Sequence, residues 1–464
     1  MKILELRNNS EPFRSQRRIV ESTMNQALHH PKRHLPWVVW GAGLFVYILA
    51  VANRSSFGVA GLLAAQRFGI SATVLSLFVV VQLAVYAAMQ LPAGMAVDIW
   101  GPRRLLVIGA IAMSIGQLAM ALVPTVQLAI AARVLIGAGD ATVFVSTVRL
   151  VWDWFPREKV SLLTQITGLA GQIGQIVSAI PFALALQHSG WVSSFLALAV
   201  VGILAAATAG LLVQRRGVFT GTVTESLPDV TAADNAQAPP GENSLTAAIR
   251  HPATWLGFFA HMLCGMGTTV FVLMWGVPFM IEGQGYSENV SSILLTIVVL
   301  TSMAVAPLIG RYTSKNPNRR STVTLFVGAL VAVGWLIALI PPNPLPFGVF
   351  IIAVVLISAG GPASLIGLDL AGTFNSPGRR SAVQGFANMG GFVAAIAVML
   401  TVGAILDRRT GGAASGLADY RIALSIIFIP MALSAIGLFF FRRRTRRAAG
   451  IISARSFWRI SVKD

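Results

Sequence analysis

The stretch GMAVDIWGPRR runs from Gly94 to Arg104, and a looser copy, GRYTSKNPNRR, runs from Gly310 to Arg320. A glycine opens each and a pair of arginines closes each, at identical spacing. Each also follows a long apolar run. A run of about 20 apolar residues is what a helix needs to cross the hydrocarbon core of a bilayer. Both stretches therefore read as polar turns at a membrane surface, and their repetition points to two related halves.

Working outward, the same apolar runs fill the chain. It has 464 residues, of which 55% are hydrophobic and 11% charged, about half the charged fraction of a soluble protein. Twelve spans are predicted, at about 37–62, 73–95, 105–123, 127–150, 160–186, 191–213, 253–281, 288–310, 321–341, 346–371, 382–406 and 420–441. Continuous runs of this length exclude a β-barrel, whose strands only alternate. The fold class is an all-α membrane protein with twelve transmembrane helices in two six-helix bundles.

Charge orients it. The net charge is +18, but the basic residues sit in alternate connections: Arg103 and Arg104, Arg157 and Lys159, Arg215 with Arg216 and Arg250, Arg311 to Arg320, Arg379 and Arg380, and the tail from Arg442. That is the positive-inside pattern, so both termini are expected in the cytoplasm, and nucleic acid is not an expected partner. The connection with Asp407, Arg408 and Arg409 is an exception. The predicted organisation is a cytoplasmic segment 1–36, a bundle 37–213, a flexible linker 214–252, a bundle 253–441 and a basic tail 442–464. Residues 1–36 show no short apolar core with a cleavage site, so the first run is taken as a membrane helix rather than a signal peptide. The lone Cys264 permits no disulfide within the chain.

The halves match elsewhere. VLIGAGDA at 134–141 is similar to VLISAGGPA at 355–363, and Gln165 and Gly168 correspond in order to Gln384 and Gly385. With the pattern G-x-x-x-D-x-x-G-x-R-R, carried by Gly94, Asp98, Gly101, Arg103 and Arg104, the chain resembles the major facilitator superfamily along essentially its whole length. That resemblance implies two bundles rocking about a central site. It also implies a gating role for this loop, with Asp98 stabilising the outward-open state and Arg149, at the inner end of the fourth helix, as its candidate partner.

Most ionisable residues avoid the cores of the predicted spans, but Arg54, Arg133, Asp140, His261 and Asp369 do not clearly avoid them. Such residues are costly in lipid and usually face a cavity or a partner. Arg133 and Asp140 are seven positions apart, about two turns, on one helix face. In the superfamily the first and fourth helices line the cavity, so an Arg–Asp–Arg cluster with Arg54 is expected. The bland alternatives are an Arg54 that snorkels to the interface, an Arg133 that serves helix packing, an Asp140 that pairs within the bundle, a packed His261 and an Asp369 near the cytoplasmic end.

GDATVFVSTVRLVWDWFPREK, Gly139 to Lys159, resembles the fourth helix of the anion:cation symporter branch through Asp140, Phe144, Arg149 and Trp154-Phe155-Pro156. NRSSFGVA at 53–60 is similar to that branch's first-helix pattern. Asn53 stands where members often carry a carboxylate, and the seventh helix has no arginine, leaving His261 as its ionisable candidate.

The expected function is secondary active transport of a small solute, with an organic anion as the leading class. Arg54, Arg133, Gln82, Gln165 and Asn388 are the candidate substrate ligands. Asp140 and His261 are the candidate proton-coupling residues. Gly94, Asp98, Gly101, Arg103, Arg104 and Arg149 are the candidate gate. The rival is proton-coupled efflux of drugs or lipophilic metabolites, although Pro181 in the fifth helix lacks the preceding glycine of drug exporters. GLAGQIGQ at 168–175 reads as a close-packing face, and Pro278 and Pro307 as kinks or gates. No phosphate loop, hydrolase nucleophile or metal cluster is visible, so no enzyme activity, cofactor or metal is expected. The expected setting is a monomer among the lipids of a plasma (inner) membrane, with H+ as coupling ion.

Overall fold

The computed structural model describes residues 34–69, 72–214, 244–410 and 415–450. Among them every element is helical and there is no strand. The expected N-terminal segment up to residue 33, linker residues 215–243 and tail residues 451–464 lie outside the described residues.

Four helices open the chain: α1 (Leu35–Phe68), α2 (Ala72–Trp100), α3 (Pro102–Leu122) and α4 (Val126–Trp154). The next apolar stretch, Arg157–Leu212, is 56 residues long, about twice what a bilayer needs. It is two helices. Pro181 sits in a π-helical turn, Ser178–Phe182, and Gly190 then takes φ 77 and ψ −177, a conformation essentially confined to glycine. Gly190 thus ends α5, which begins at Arg157, and the chain returns as α6 to Leu212. Six more follow: α7 (Pro252–Gly283), α8 (Glu288–Lys315), α9 (Arg320–Leu339), α10 (Phe347–Phe374), α11 (Arg380–Thr410) and α12 (Leu417–Ala448). The end of the expected linker is not extended chain but a short helix, Leu245–Arg250. It starts there because the Ser244 hydroxyl accepts from the Ala247 N–H, a standard N-cap.

Backbone irregularities fall where sequence chemistry puts them. Two π-turns, Phe271–Trp275 and Phe279–Gly283, flank Pro278 in α7. Gly360-Gly361-Pro362 divides α10, whereas Pro307 lies inside an uninterrupted α8.

Two large apolar cores form, one from α1–α6 and one from α7–α12; Leu368 joins the first and Leu83 the second. Large apolar side chains such as Leu211, Leu308, Phe326 and Ile436 face outward, as lipid contact requires. The two bundles meet along two seams, α2 against α11 and α5 against α8. The connections rich in arginine share one end of the molecule, called the basic end below. At the other end two basic residues, Arg409 of the exceptional connection and Arg421, are locally engaged. Arg409 pairs with Asp419 at 2.9 Å, and Arg421 donates to the Leu339 and Ile340 carbonyls that end α9, at 2.8 and 2.6 Å.

Candidate functional site

At the centre of the first bundle, Arg54 on α1 turns inward onto Asp140 on α4. Its Nε donates to Oδ2 at 2.6 Å and its Nη2 to Oδ1 at 2.9 Å. Such two-pronged pairing is the strongest arrangement a guanidinium and a carboxylate adopt. The Asp140 side chain is fully buried, while that of Arg54 keeps 25% of its surface exposed. The guanidinium also lies 4.4 Å from the centre of the Tyr86 ring on α2, a cation–π contact. Tyr86 carries the site to the other bundle. Its ring meets Phe392 of α11 at 5.0 Å, and its hydroxyl accepts from Asn388 Nδ2 at 3.5 Å. Asn388 Nδ2 donates more closely to Gln90 Oε1, at 2.8 Å.

Chemically, this is a neutral pair with donors to spare. A guanidinium has five N–H groups, and Asp140 engages two nitrogens. Protonating the carboxylate would leave a positive charge facing the remaining open surface.

The expected Arg–Asp–Arg cluster does not form. Arg133 is fully buried and directs Nη1 to Gln82 Oε1 at 3.1 Å and to the Asn53 carbonyl at 3.5 Å. Two turns separate it from Asp140, about 10 Å along the axis, which is beyond the span of an ion pair. Asn53 Oδ1 in turn accepts from Gln117 Nε2 at 2.8 Å. Arg133, Gln82 and Asn53 therefore form a second polar layer beside the pair.

Gln165 and His261 stand apart from Arg54 and join other elements. Gln165 Nε2 donates across the bundles to the Pro362 carbonyl at 2.9 Å. His261 Nδ1 accepts the Gly391 N–H at 3.1 Å, which places that ring's proton on Nε2 and ties α7 to α11.

The basic end holds two related clasps. In the first, Gly94 lets α2 lie directly on α11: a Cβ there would meet the Ser381 carbonyl and stand 2.8 Å from Ala382 Cα. One turn on, Asp98 accepts from the backbone N–H groups of Ser381 and Ala382 at 3.0 and 2.8 Å, so it caps α11 from the opposite bundle. It also accepts from Arg149 Nη1 at 2.7 Å. Arg149 holds Asp153 through Nε at 2.7 Å and Ser381 Oγ at 3.3 Å. Gly101, with φ 81, makes the turn that follows, Arg103 donates to the Gly210 carbonyl, and Arg104 stays exposed.

The second clasp repeats the first in uncharged form. A Cβ on Gly310 would stand 3.0 Å from Leu162 Cα. Ser314, four residues on as Asp98 is from Gly94, accepts the Leu162 N–H of α5 at 3.2 Å. Thr313 and Ser161 share a hydrogen bond of 2.6 Å.

Tyr86, Gln90, Asp153, Ser314 and Ser381 did not emerge from sequence reasoning. For α2 a signal was present: Gln82, Tyr86, Gln90, Gly94 and Asp98 recur every four residues, along one ridge of a helix. Arg149 and Asp153 likewise have the i, i+4 spacing of a helical ion pair.

These features define an integral membrane protein of two helical bundles clasped at one end around a buried ion pair. The chain belongs to the Major Facilitator Superfamily, whose family profile matches residues 43–399. A protein of Escherichia coli (strain K12) named "Probable L-galactonate transporter" is 30% identical over 165 residues, 35% of this chain and 36% of that one. The match thus spans about a third of that relative's length. A second, from Cupriavidus necator, named "Probable sulfoacetate transporter SauU", is 21% identical over 330 residues, 70% of this chain and 75% of its own.

Proposed function

We propose that the protein is a proton-coupled transporter of small organic anions, working by alternating access. The observation that carries this is the Arg54–Asp140 pair. When Asp140 takes a proton, Arg54 loses its counter-charge and an anionic substrate replaces it; when the anion leaves, the proton leaves too. Tyr86 sits beside the guanidinium and Asn388 reaches the Tyr86 hydroxyl, and both belong to the proposed substrate site. Arg133 and Gln82 add a positive, hydrogen-bonding wall. L-Galactonate and sulfoacetate, the solutes in the relatives' names, are both small organic anions. An Arg54 turned into the bundle, not toward lipid headgroups, also counts against the lipophilic-efflux alternative.

The two clasps are the gate in this proposal. With the basic end facing the cytoplasm of a plasma membrane, by its excess of Lys and Arg, the clasped structure is closed to the cytoplasm, and Asp98 and Arg149 release when it opens.

The test is uptake into proteoliposomes from a pooled library of sugar acids and sulfonates, with and without an inwardly acidifying gradient. Accumulation driven by the gradient and abolished by Arg54→Gln is expected. Normal uptake by both Arg54→Gln and Asp140→Asn would sink the mechanism.

A further inference from the structure

Asp369, on the last part of α10, is completely buried, and neither carboxyl oxygen has a hydrogen-bond partner among the described residues. It sits beside the uncharged clasp. The Ser161 and Thr164 hydroxyls of α5 and the Arg320 guanidinium of α9 are the polar groups that act on it. None meets it in bonding geometry. Ser161 is held by Thr313, and the Thr164 hydroxyl is itself without a partner. Arg320 directs Nη1 to Thr373 Oγ1 at 2.9 Å, and no ion pair within 4.0 Å joins Arg320 to Asp369. Thr373 Oγ1 donates in turn to the Asp369 main-chain carbonyl at 2.6 Å. The guanidinium is thus parked one turn from a carboxyl it could reach.

The other elements against this part of α10 are α7, α11 and α4. From α7, His261 lies beside Gly367. From α11, Arg380 donates Nε to the Gly372 carbonyl at 3.3 Å, and the uncharged Gln384 reaches the Leu368 carbonyl. From α4, Trp152 touches Gly372. Among the described residues Arg320 is the one charge acting on the carboxyl.

The Asp369 carboxyl is thus buried beside two hydroxyls and a guanidinium without a completed hydrogen bond or ion pair to any of them, and a buried charge is costly unless it is paired. The charged clasp has an acid and a guanidinium joined on its own bundle, Asp98 with Arg149. The uncharged clasp has both groups, Asp369 and Arg320, unjoined.

The geometry points to Asp369 as a second proton-binding site, located at the clasp between α5 and α8 rather than in the substrate site. Closed, the clasp buries the carboxylic acid. Opening admits water, the proton leaves to the solution at the basic end, and the carboxylate takes Arg320 from Thr373. Closing requires the proton back. This rests on the transporter reading only in that the basic end opens and closes.

The test uses the full chain in lipid nanodiscs, with Cys264→Ser and nitroxide labels at the exposed positions Glu158→Cys and Lys315→Cys. Label separation is measured at about pH 5 and about pH 9. Expected is a shift toward the longer separation at the higher pH, and its loss in Asp369→Asn, which stays at the short separation at both. Arg320→Gln keeps the carboxyl but removes its receiving partner, and it moves the midpoint of opening to higher pH. A pH response in Asp369→Asn equal to that of the parent overturns the proposal, and so does a parent that never responds. Gradient-driven uptake by the same preparation reports separately on the transporter reading. Should Asp369→Asn fail to fold, the Arg320→Gln midpoint decides: no displacement overturns the proposal.

Discussion

Asp98 and Arg149 belong to one bundle, yet their 2.7 Å pair is completed by the other: the Asp98 oxygen that accepts from Arg149 also accepts from the Ser381 N–H. The bond that clasps the bundles and the bond that neutralises the charge share an atom, so neither can be removed alone. Asp98→Asn weakens both. Removing one partner of a buried ion pair costs about 3–5 kcal/mol, and a capping acceptor about 1 kcal/mol. Because asparagine keeps part of the cap, a loss of about 3 kcal/mol from the clasped state is expected. Maleimide labelling of a cysteine at Ser381 should rise by at least about tenfold, a change of 1.4 kcal/mol.

At the central pair, Arg54→Gln or Asp140→Asn leaves a buried or half-buried charge without its partner, whereas the double variant restores neutrality. Each single change should destabilise by about 3 kcal/mol and the double by clearly less than the sum. Thermal melting in detergent gives the coupling energy. Uptake separates function from stability, since the double variant should melt near the parent and still fail to transport anions.

The two glycines of the clasps differ in how much room they leave. An added methyl group at Gly94 would run into the Ser381 carbonyl, with Ala382 Cα at 2.8 Å. At Gly310 the nearest atom is Leu162 Cα at 3.0 Å, followed by the flexible Gln165 Cγ at 3.1 Å. Gly94→Ala should prise the α2–α11 seam apart and cost about 1–3 kcal/mol, while Gly310→Ala is expected to cost less. Disulfide trapping across each seam, between cysteines introduced in α2 and α11 or in α5 and α8, should slow for the first and barely change for the second.

Gly190 offers a cleaner backbone test. Nothing lies within 4 Å of where its Cβ would be, so Gly190→Ala adds no clash. It does force a non-glycine residue into φ 77, ψ −177, at about 1–3 kcal/mol. A drop in melting temperature without a change in the substrate concentration for half-maximal uptake is the expected result.

Much of the fold was legible because membrane solvation leaves few choices: apolar runs become helices, and alternate basic connections fix which ends go together. The split of Arg157–Leu212 was readable from a glycine between two apolar runs. The pairing of Asp98 with Arg149 was legible through the resemblance carried by the Gly94-to-Arg104 motif, which implies that partnership. The site was harder. Arg54 with Asp140 followed from two charges on neighbouring helices, but Arg133 was misplaced in that cluster. Seven residues put Arg133 on the same face as Asp140 but about 10 Å away along the axis, where it packs on Gln82 and Asn53 instead. Cross-bundle partners such as Tyr86 with Asn388, or Gln165 with Pro362, depend on the seam register, which no local pattern encodes. Aligning Ser314 with Asp98 replaces an acid with an alcohol, so the second clasp lost the charge that made the first conspicuous.

Tyr86 touches Arg54, and Asp98, twelve residues later on α2, caps α11. At 1.5 Å per residue these points are about 18 Å apart on one uninterrupted helix. Although Pro92 lies between them, α2 continues as one helix, with the ion pair bearing on one end and the clasp on the other. Under the proposed function, a tilt imposed by an arriving anion is, with no relay of side chains, a displacement at the far end. Occupancy and closure are then readings of a single mechanical coordinate.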